Sequence, residues 1–157
     1  MKRLFNVDHS EWKTNWAILL MRIGVAALMV SHGIPKLQTL LSGNIQFPEI
    51  FGMSGTMGLA LTVLAEVVCS VFILLGLGTR LAVIPLIITM MVAVFHIHIA
   101  DPFAKQELGI IYIVLYIILY ILGSGKYSLD FLLNKNLRTK TDESAPIKST
   151  ALGTNYS

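Results

Sequence analysis

Four long apolar segments make up most of this 157-residue chain and leave few folds open to it. A helix needs about 20 apolar residues to cross the hydrocarbon core of a bilayer. Hydrophobic residues are 55% of the chain and charged residues 13%, a balance outside that of soluble domains. The sequence therefore predicts an all-α, four-helix transmembrane bundle. Its predicted spans are Trp16 to Ile34, Thr56 to Leu77, Leu81 to Ile99, and Leu108 to Leu122 with a turn added from Phe103 to Glu107.

Polarity divides the chain into three parts. Residues 1–15 form a short N-terminal segment, residues 16–133 the membrane domain, and residues 134–157 a polar tail whose composition predicts disorder. Glycines end the fourth span, and the Tyr-Ser-Leu-Asp-Phe-Leu-Leu stretch that follows predicts a short amphipathic helix on the membrane interface. The first span lacks a small-x-small cleavage site after it, so we expect a retained helix rather than a signal peptide.

Lysine and arginine are distributed unequally between the loops. Of the 12 such residues, Arg22 lies inside a span, Lys36 and Lys105 lie in the loops opposite the termini, and the remaining nine lie on the side of the termini. Because short basic loops stay in the cytoplasm, this asymmetry predicts that both termini are cytoplasmic. It also accounts for the net charge of +3, so the charge does not indicate a nucleic-acid partner.

Two residues of opposite charge, Arg22 and Glu66, lie inside the apolar spans. An ionisable group at membrane depth costs about 3 kcal/mol on insertion scales unless it meets a partner or a cavity. We therefore expect Arg22 to extend along its helix and pair with Glu66. The pair is open to two interpretations. It either holds two helices together, or it tunes Glu66 as a proton acceptor or ligand-orienting carboxylate.

Depth along the helices places three further residues in one layer. Counted from the cytoplasmic helix ends, His32, His96 and Glu107 lie about 22 to 24 Å up, near the outer edge of the hydrocarbon core. Glu66 and Tyr112 lie nearer the middle of the membrane. Burying one of these ionisable groups alone costs free energy, and the cost falls when several of them face the same water molecules or ligand. The sequence therefore predicts a binding site for a polar head group, open to the outer side.

Helical periodicity indicates which side chains share a face. Arg22 and Lys36 are separated by two seven-residue steps and His32 lies one turn from Lys36, so the three share one broad face of the first helix. His96 and His98 are two residues apart and point to opposite sides of a regular helix. Both can join the site only if the end of that helix unwinds.

Tyrosines recur every four residues along the fourth span, at Tyr112, Tyr116 and Tyr120. This stripe is either packing with satisfied hydroxyl groups or a hydrogen-bonding wall for a ligand head. His32 and His96 have either a capping or interfacial role, or a role in proton relay or in contact with a ligand carbonyl. A metal site is not expected, because the two histidines of the third span diverge and the sequence has no His-x-x-x-His or Glu-x-x-His pair.

The order of these polar residues resembles that of a known family. The resemblance covers about residues 16 to 133 and is to the DoxX family of small four-helix bacterial membrane proteins. That family is similar to the small membrane subunit of thiosulfate:quinone oxidoreductase, which implies quinone-linked electron transfer or redox homeostasis in the bacterial inner membrane. The residues that carry it are Arg22, His32-Gly33-x-x-Lys36, Glu66, Gly76-Leu77-Gly78-Thr79-Arg80, His96, Glu107 and Gly123-x-Gly125-x-Tyr127-Ser128-Leu129-Asp130.

Three classes of function remain open. The first is a quinone-linked oxidoreductase subunit with no cofactor of its own, which would need a protein redox partner. The second is a non-catalytic partner or assembly subunit, alone or as a homo-oligomer, whose polar core sets helix pairing. The third is a small proton or solute transporter, although inverted repeats are lacking. For the first class, the candidates are Glu66, Arg22, His96 and His32 for proton handling, and His32, His96, Glu107, Tyr112 and Lys36 for quinone binding.

Overall fold

The computed structural model describes residues 10–135, which contain four helices long and apolar enough to cross a membrane. This confirms the predicted all-α architecture with four spans. The predicted tail lies outside the described residues except for positions 134 and 135, which are helical. The helices are α1 (Glu11–Ser42), α2 (Gly55–Leu75), α3 (Thr79–Ile97), α4 (Phe103–Leu122) and the short α5 (residues 129–135).

Helix α1 is longer than the apolar segment that predicted it. It continues through Pro35 and ends at Gly43, whose φ of 73° is the left-handed conformation common at helix ends. The expectation that the first helix ends at Ile34 and that Lys36 lies in the loop after it is therefore wrong. Proline lacks only one backbone donor and its φ is compatible with a helix, so a span can continue past it. As a result Lys36 lies on α1, one residue beyond the proline.

The core lies where the four long helices meet. Helix α1 packs along α2, and α3 packs along α4. Large apolar side chains also remain exposed on the outward faces of all four helices, as expected for surfaces that contact lipid. Apolar core residues include Val25, Met29, Ile73, Leu86, Tyr116 and Leu119.

Two helices are wound more loosely beside the polar residues. Residues Leu64–Cys69 of α2, which include Glu66, are π-helical, and so are residues Ala93–Ile97 of α3. In a π turn each N–H bonds five residues back, and such turns occur frequently at functional sites. The His98 N–H accordingly donates to the Ala93 carbonyl at 2.9 Å. His98 is thus placed one wide turn above Ala93.

Both ends of the described chain meet at one end of the bundle. The Lys126 ammonium pairs with Glu11, and the Lys126 backbone N–H donates to Asn15 Oδ1 at 2.8 Å. The rings of Trp16 and Tyr127 lie 5.3 Å apart at the same end. These contacts require an even number of spans. That this end faces the cytoplasm stays a prediction.

The orientation can be tested by cysteine labelling in a Cys69→Ala background. We expect Ser42→Cys, at the exposed end of α1, to react with a membrane-impermeant maleimide in intact cells. Ser144→Cys, in the tail beyond the described residues, is expected to react only after the cells are permeabilised. The expectation follows from the basic residues on the side of the termini. The opposite labelling pattern would reverse the topology.

Candidate functional site

Glu66 pairs with Lys36. The Lys36 Nζ lies 2.5 Å from Glu66 Oε1, and the Glu66 side chain is 1% exposed whereas that of Lys36 is 36% exposed. The pair exists because α1 continues past Pro35 and carries the lysine alongside α2. The second carboxylate oxygen, Glu66 Oε2, is buried and has no hydrogen-bond partner within residues 10–135. Such an oxygen is costly unless a proton, a water molecule or a ligand meets it.

Arg22 does not form the expected pair with Glu66. Its side chain is 1% exposed and lies near the end of the bundle that carries the termini. The final carbonyls of a helix have no partners within the helix, so they are suitable acceptors for a buried guanidinium at their own depth. The prediction failed because these nearer acceptors satisfy the arginine. Its donors and acceptors are Nε to Ile73 O (2.8 Å), Nη2 to Leu74 O (2.9 Å), and Nη1 to Ser124 O and Tyr127 O (2.8 Å each).

Gly76 provides the space for this guanidinium. Its φ is +71°, and a Cβ at this position would lie 2.4 Å from Arg22 Nη2 and 2.6 Å from Ser128 Cβ. A side chain there is therefore excluded both by the backbone conformation and by the arginine. The Gly-Leu-Gly-Thr-Arg turn thus begins at a position that only glycine fits.

Two cavities meet at the Lys36–Glu66 pair. The apolar cavity, of about 350 Å³, lies between α2, α3 and the loop of residues 43–54. The polar cavity, of about 180 Å³, lies between α1, α3 and α4. Lys36, Glu66, Ala93 and His98 line both cavities. The apolar cavity is otherwise lined by residues that include Phe47, Ile50, Phe51, Leu61, Ile88 and Ile97, and the polar cavity by residues that include His32, Lys105, Gly109 and Tyr112.

The histidine at the junction is His98, whereas the sequence favoured His96. The π turn aligns His98 with Ala93, which lines both cavities. His96 is exposed instead, and its ring stacks on that of Phe51 at 5.0 Å. Periodicity assumes regular α-helical winding, so the sequence favoured His96 and admitted His98 to the site only if the end of the helix unwinds. No residue type in the segment indicates the extra residue in the turn.

Asp101, in the turn between α3 and α4, contacts the His98 ring. The His98 Nδ1 lies 2.7 Å from Asp101 Oδ2, and the Lys105 Nζ lies 3.2 Å from Asp101 Oδ1. These contacts hold the pKa of the Asp101 carboxyl below its usual value, and the hydrogen bond with His98 contributes most to the lowering. Glu66 and His98 line the same two cavities, and His98 contacts Asp101 in the turn that follows α3.

The remaining candidates fall into two groups. His32 and Tyr112 line the polar cavity, with ring centroids 6.2 Å apart in an edge-on arrangement. Glu107 is exposed and lines neither cavity, because its position on α4 faces outward. The structure therefore brings together His32, Lys36, Glu66 and Tyr112, and leaves Arg22, His96 and Glu107 apart from them.

The tyrosine stripe is buried over only part of its length. Tyr112 and Tyr116 are buried with their rings 5.9 Å apart, whereas Tyr120 is 48% exposed. The Tyr116 hydroxyl has no hydrogen-bond partner in the described part of the chain. Tyr112 is thus the member of the stripe that lines the polar cavity, and Tyr116 continues the stripe into the core below it.

Gly33 allows α1 to approach α2 beside Glu66. A Cβ at this position would lie 2.7 Å from Val67 Cγ2 and 3.1 Å from Glu66 Cβ. We expect Gly33→Ala to destabilise the protein by about 1 to 3 kcal/mol through overpacking, measured by thermal unfolding in detergent. Gly24→Ala is the matched control, since a Cβ at this position of α1 would meet no atom within 4 Å. Equal unfolding temperatures for the two variants would contradict the close approach.

Comparison with known proteins places the chain in a family. The DoxX family model matches residues 17–99, from α1 to the end of α3. An uncharacterized protein of Haemophilus influenzae is 31% identical over 124 residues, which cover 72% of this chain and 87% of that protein. No solved structure matches significantly. The matched region contains Arg22, Lys36, Glu66 and His98, the residues around which the bundle is organised. The chain is a multi-pass membrane protein of the DoxX family.

Proposed function

We propose that this protein binds a quinone at the junction of its two cavities and serves as the membrane subunit of a quinone-linked redox system in the bacterial inner membrane. The observation that carries the proposal is the apolar cavity that ends at an ion pair whose glutamate is buried and keeps one unsatisfied carboxylate oxygen. Ligand sites are commonly apolar cavities of about 300 to 1,000 Å³ with a few convergent polar groups.

The residues present fit both parts of a quinone. Its carbonyl oxygens accept hydrogen bonds, and the Lys36 ammonium and the His98 ring are the groups at the junction that can donate them. Its isoprenoid tail requires an apolar channel, which Phe47, Leu61 and Ile88 help to form. When bound, a quinone supplies carbonyl groups that are reduced and protonated.

Glu66 is the residue suited to hold a proton at the junction. Its Oε1 is engaged by Lys36, so Oε2 is the oxygen that can take up or release a proton. The polar cavity connects this carboxyl to His98, whose partner Asp101 lies in the outer turn. We therefore assign proton transfer between the junction and the outer end of the bundle to the chain Glu66, His98 and Asp101, with His32 on the opposite wall.

Electrons would reach this site from a partner protein. Cys69 is the only cysteine in the chain, so a dithiol pair within one copy cannot be the donor. The family resemblance, which is to a small membrane subunit, also favours a separate redox partner.

Binding of a short-chain ubiquinone or menaquinone analogue to the purified protein in detergent tests the proposal. We expect Glu66→Gln, which keeps the side-chain volume, to weaken binding by about tenfold or more, because the carboxylate that holds the Lys36 ammonium at the junction is lost. Glu107→Gln removes the same charge from the exposed face of α4 and is expected to bind as wild type. Unfolding temperatures measured on the same samples separate a loss of ligand contact from a loss of fold.

A second pair of variants tests the assignment of the histidine. His98→Ala is expected to weaken quinone binding, whereas His96→Ala, on the exposed side of α3, is expected to leave it unchanged. If wild type binds no quinone, or if folded Glu66→Gln binds as tightly as wild type, the polar core is structural and the protein is an assembly subunit instead.

A further inference from the structure

The apolar cavity has an entrance on the side of the bundle. Two of its lining residues, Leu61 of α2 and Ile88 of α3, lie on the outward faces of their helices and are 48% and 52% exposed. Counted from the ends of α2 and α3 nearest the termini, they lie about 21 and 14 Å along their helices, well inside a hydrocarbon core about 30 Å thick. The gap between Leu61 and Ile88, the lateral mouth, therefore faces lipid.

The rim of the apolar cavity is apolar throughout the described residues. Its polar lining residues are buried or half-buried, and its exposed lining residues are Pro48, Phe51, Leu61, Ile88 and Ile97. Apolar surface of this kind marks contact with a membrane or with an apolar ligand. The polar cavity differs, because its exposed lining residues include His32 and Lys105. The junction therefore has one approach with an apolar opening and a second with polar residues at its opening.

The walls of the apolar cavity offer polar groups to a ligand at one place only. Thr62 and Thr89 line the cavity, but their hydroxyl groups donate to carbonyls of their own helices, Gly58 O at 2.8 Å and Pro85 O at 2.9 Å. The polar side chains that remain in the lining are those at the junction, Lys36, Glu66 and His98. A ligand that fits these walls has one polar end, and the rest of it is hydrocarbon.

Residues 43–54, the roof, cover the cavity at the end of the bundle opposite the termini. The roof packs closely on the first turns of α2, since a Cβ at Gly55 would lie 2.4 Å from the Phe47 carbonyl oxygen and one at Gly58 would lie 3.3 Å from the Phe47 ring. Ile50 belongs to the roof and lines the cavity, and it is only 6% exposed. A ligand in the cavity is thus covered on the side of the loop, and the gap between α2 and α3 is left for its entry.

We propose that the quinone enters the apolar cavity from the bilayer through the lateral mouth, and that its isoprenoid chain lies between Leu61 and Ile88 while its head group lies at the junction. This inference rests on the proposed function and narrows its substrate to membrane-dissolved quinones that carry a hydrocarbon chain. A quinone head group without a chain would leave the lateral mouth empty.

Photolabelling of the full chain in liposomes tests the route. The probe is a benzoquinone whose decyl chain ends in a diazirine, and the labelled peptides are identified by mass spectrometry. We expect labelling of α2 near Leu61 and of α3 near Ile88, and we expect an excess of untagged decylubiquinone to suppress it. The matched probe carries a dimethoxybenzene head in place of the quinone, and decylubiquinone should not suppress its labelling.

The position of the label separates failure of the route from failure of the proposed function. Suppressible labelling of α1 near His32 or of α4 near Leu108 would place the chain in the polar cavity, and suppressible labelling of the roof would place it under the loop. Either result would overturn the lateral route and leave quinone binding standing. Absence of suppressible labelling would instead remove quinone binding itself, and the lateral route with it.

A bulky side chain at the lateral mouth provides a second test. Ile88→Trp is expected to weaken binding of decylubiquinone by about tenfold, because an indole ring occupies the gap through which the chain passes, and to leave binding of the chainless head group unchanged. Ile84→Trp is the matched control, since Ile84 is 41% exposed one turn away on α3 and does not line the cavity. It should bind both quinones as wild type. Equal affinities of the two folded variants for decylubiquinone would contradict the lateral mouth.

Discussion

Arg22→Met is expected to destabilise the protein by about 3 to 5 kcal/mol, among the largest effects of any single substitution. The guanidinium is buried and donates to four backbone carbonyls. Methionine removes all four hydrogen bonds, and of these acceptors the Ile73 carbonyl keeps the bond from the Gly76 N–H. Arg22→Lys is expected to recover only part of the loss, since a single ammonium cannot reproduce the planar fork. Reversible unfolding in mixed detergent micelles measures the free energy.

Arg80→Met is the control for Arg22→Met. It removes an exposed arginine with one long hydrogen bond and is expected to change stability by about 0.5 kcal/mol or less. The double variant Arg22→Met with Glu66→Gln should be no more stable than Arg22→Met alone, because the two residues are not paired in the structure. Rescue in the double variant would show that the arginine and the glutamate interact after all.

Lys36→Met is expected to be more destabilising than Glu66→Met, although the two changes break the same ion pair. The Glu66 side chain is 1% exposed, so loss of the lysine strands a carboxylate in the core, at a cost of about 3 kcal/mol or more. The Lys36 side chain is 36% exposed and can turn its ammonium toward water when the glutamate is lost. We expect about 1 kcal/mol for Glu66→Met.

The double variant Lys36→Met with Glu66→Met is expected to be at least as stable as Glu66→Met, because no buried charge then remains without a partner. The same detergent unfolding assay measures all three proteins. Equal destabilisation by the two single changes would show that Glu66 reaches water, which is inconsistent with the burial of its side chain.

The number and positions of the spans could be predicted because bilayer thickness sets the length of a transmembrane helix, and apolar segments of that length can be found in the sequence. Periodicity also placed His32 and Lys36 on one face of α1, and the structure brings both to the Glu66 side chain or its cavity. The partners of Arg22 could not be predicted in the same way. They are backbone carbonyls, which every residue carries, so no side chain in the sequence marks them.

Which histidine lies at the junction could not be predicted from the sequence, for a different reason. A single π turn changes which side chains align along a helix, and no propensity scale marks residues 93–97 for that winding. Pro35 caused a second error, because proline often ends helices in soluble proteins and the first helix was therefore predicted to end before it. In the structure Pro35 lies inside α1. Both errors concern local backbone winding, which tertiary packing decides.

The hydrogen bonds of Arg22 also set an order of events during synthesis. Two of its acceptors, the Ser124 and Tyr127 carbonyls, lie 102 and 105 residues further along the chain. When α1 first enters the bilayer these residues have not yet been translated, so the guanidinium meets lipid or the insertion machinery without its final partners. An unpaired arginine in a span costs about 3 kcal/mol on insertion scales. We therefore expect helix α1 to remain beside the translocon, or at a shallow depth in the membrane, until the fourth span has left the ribosome.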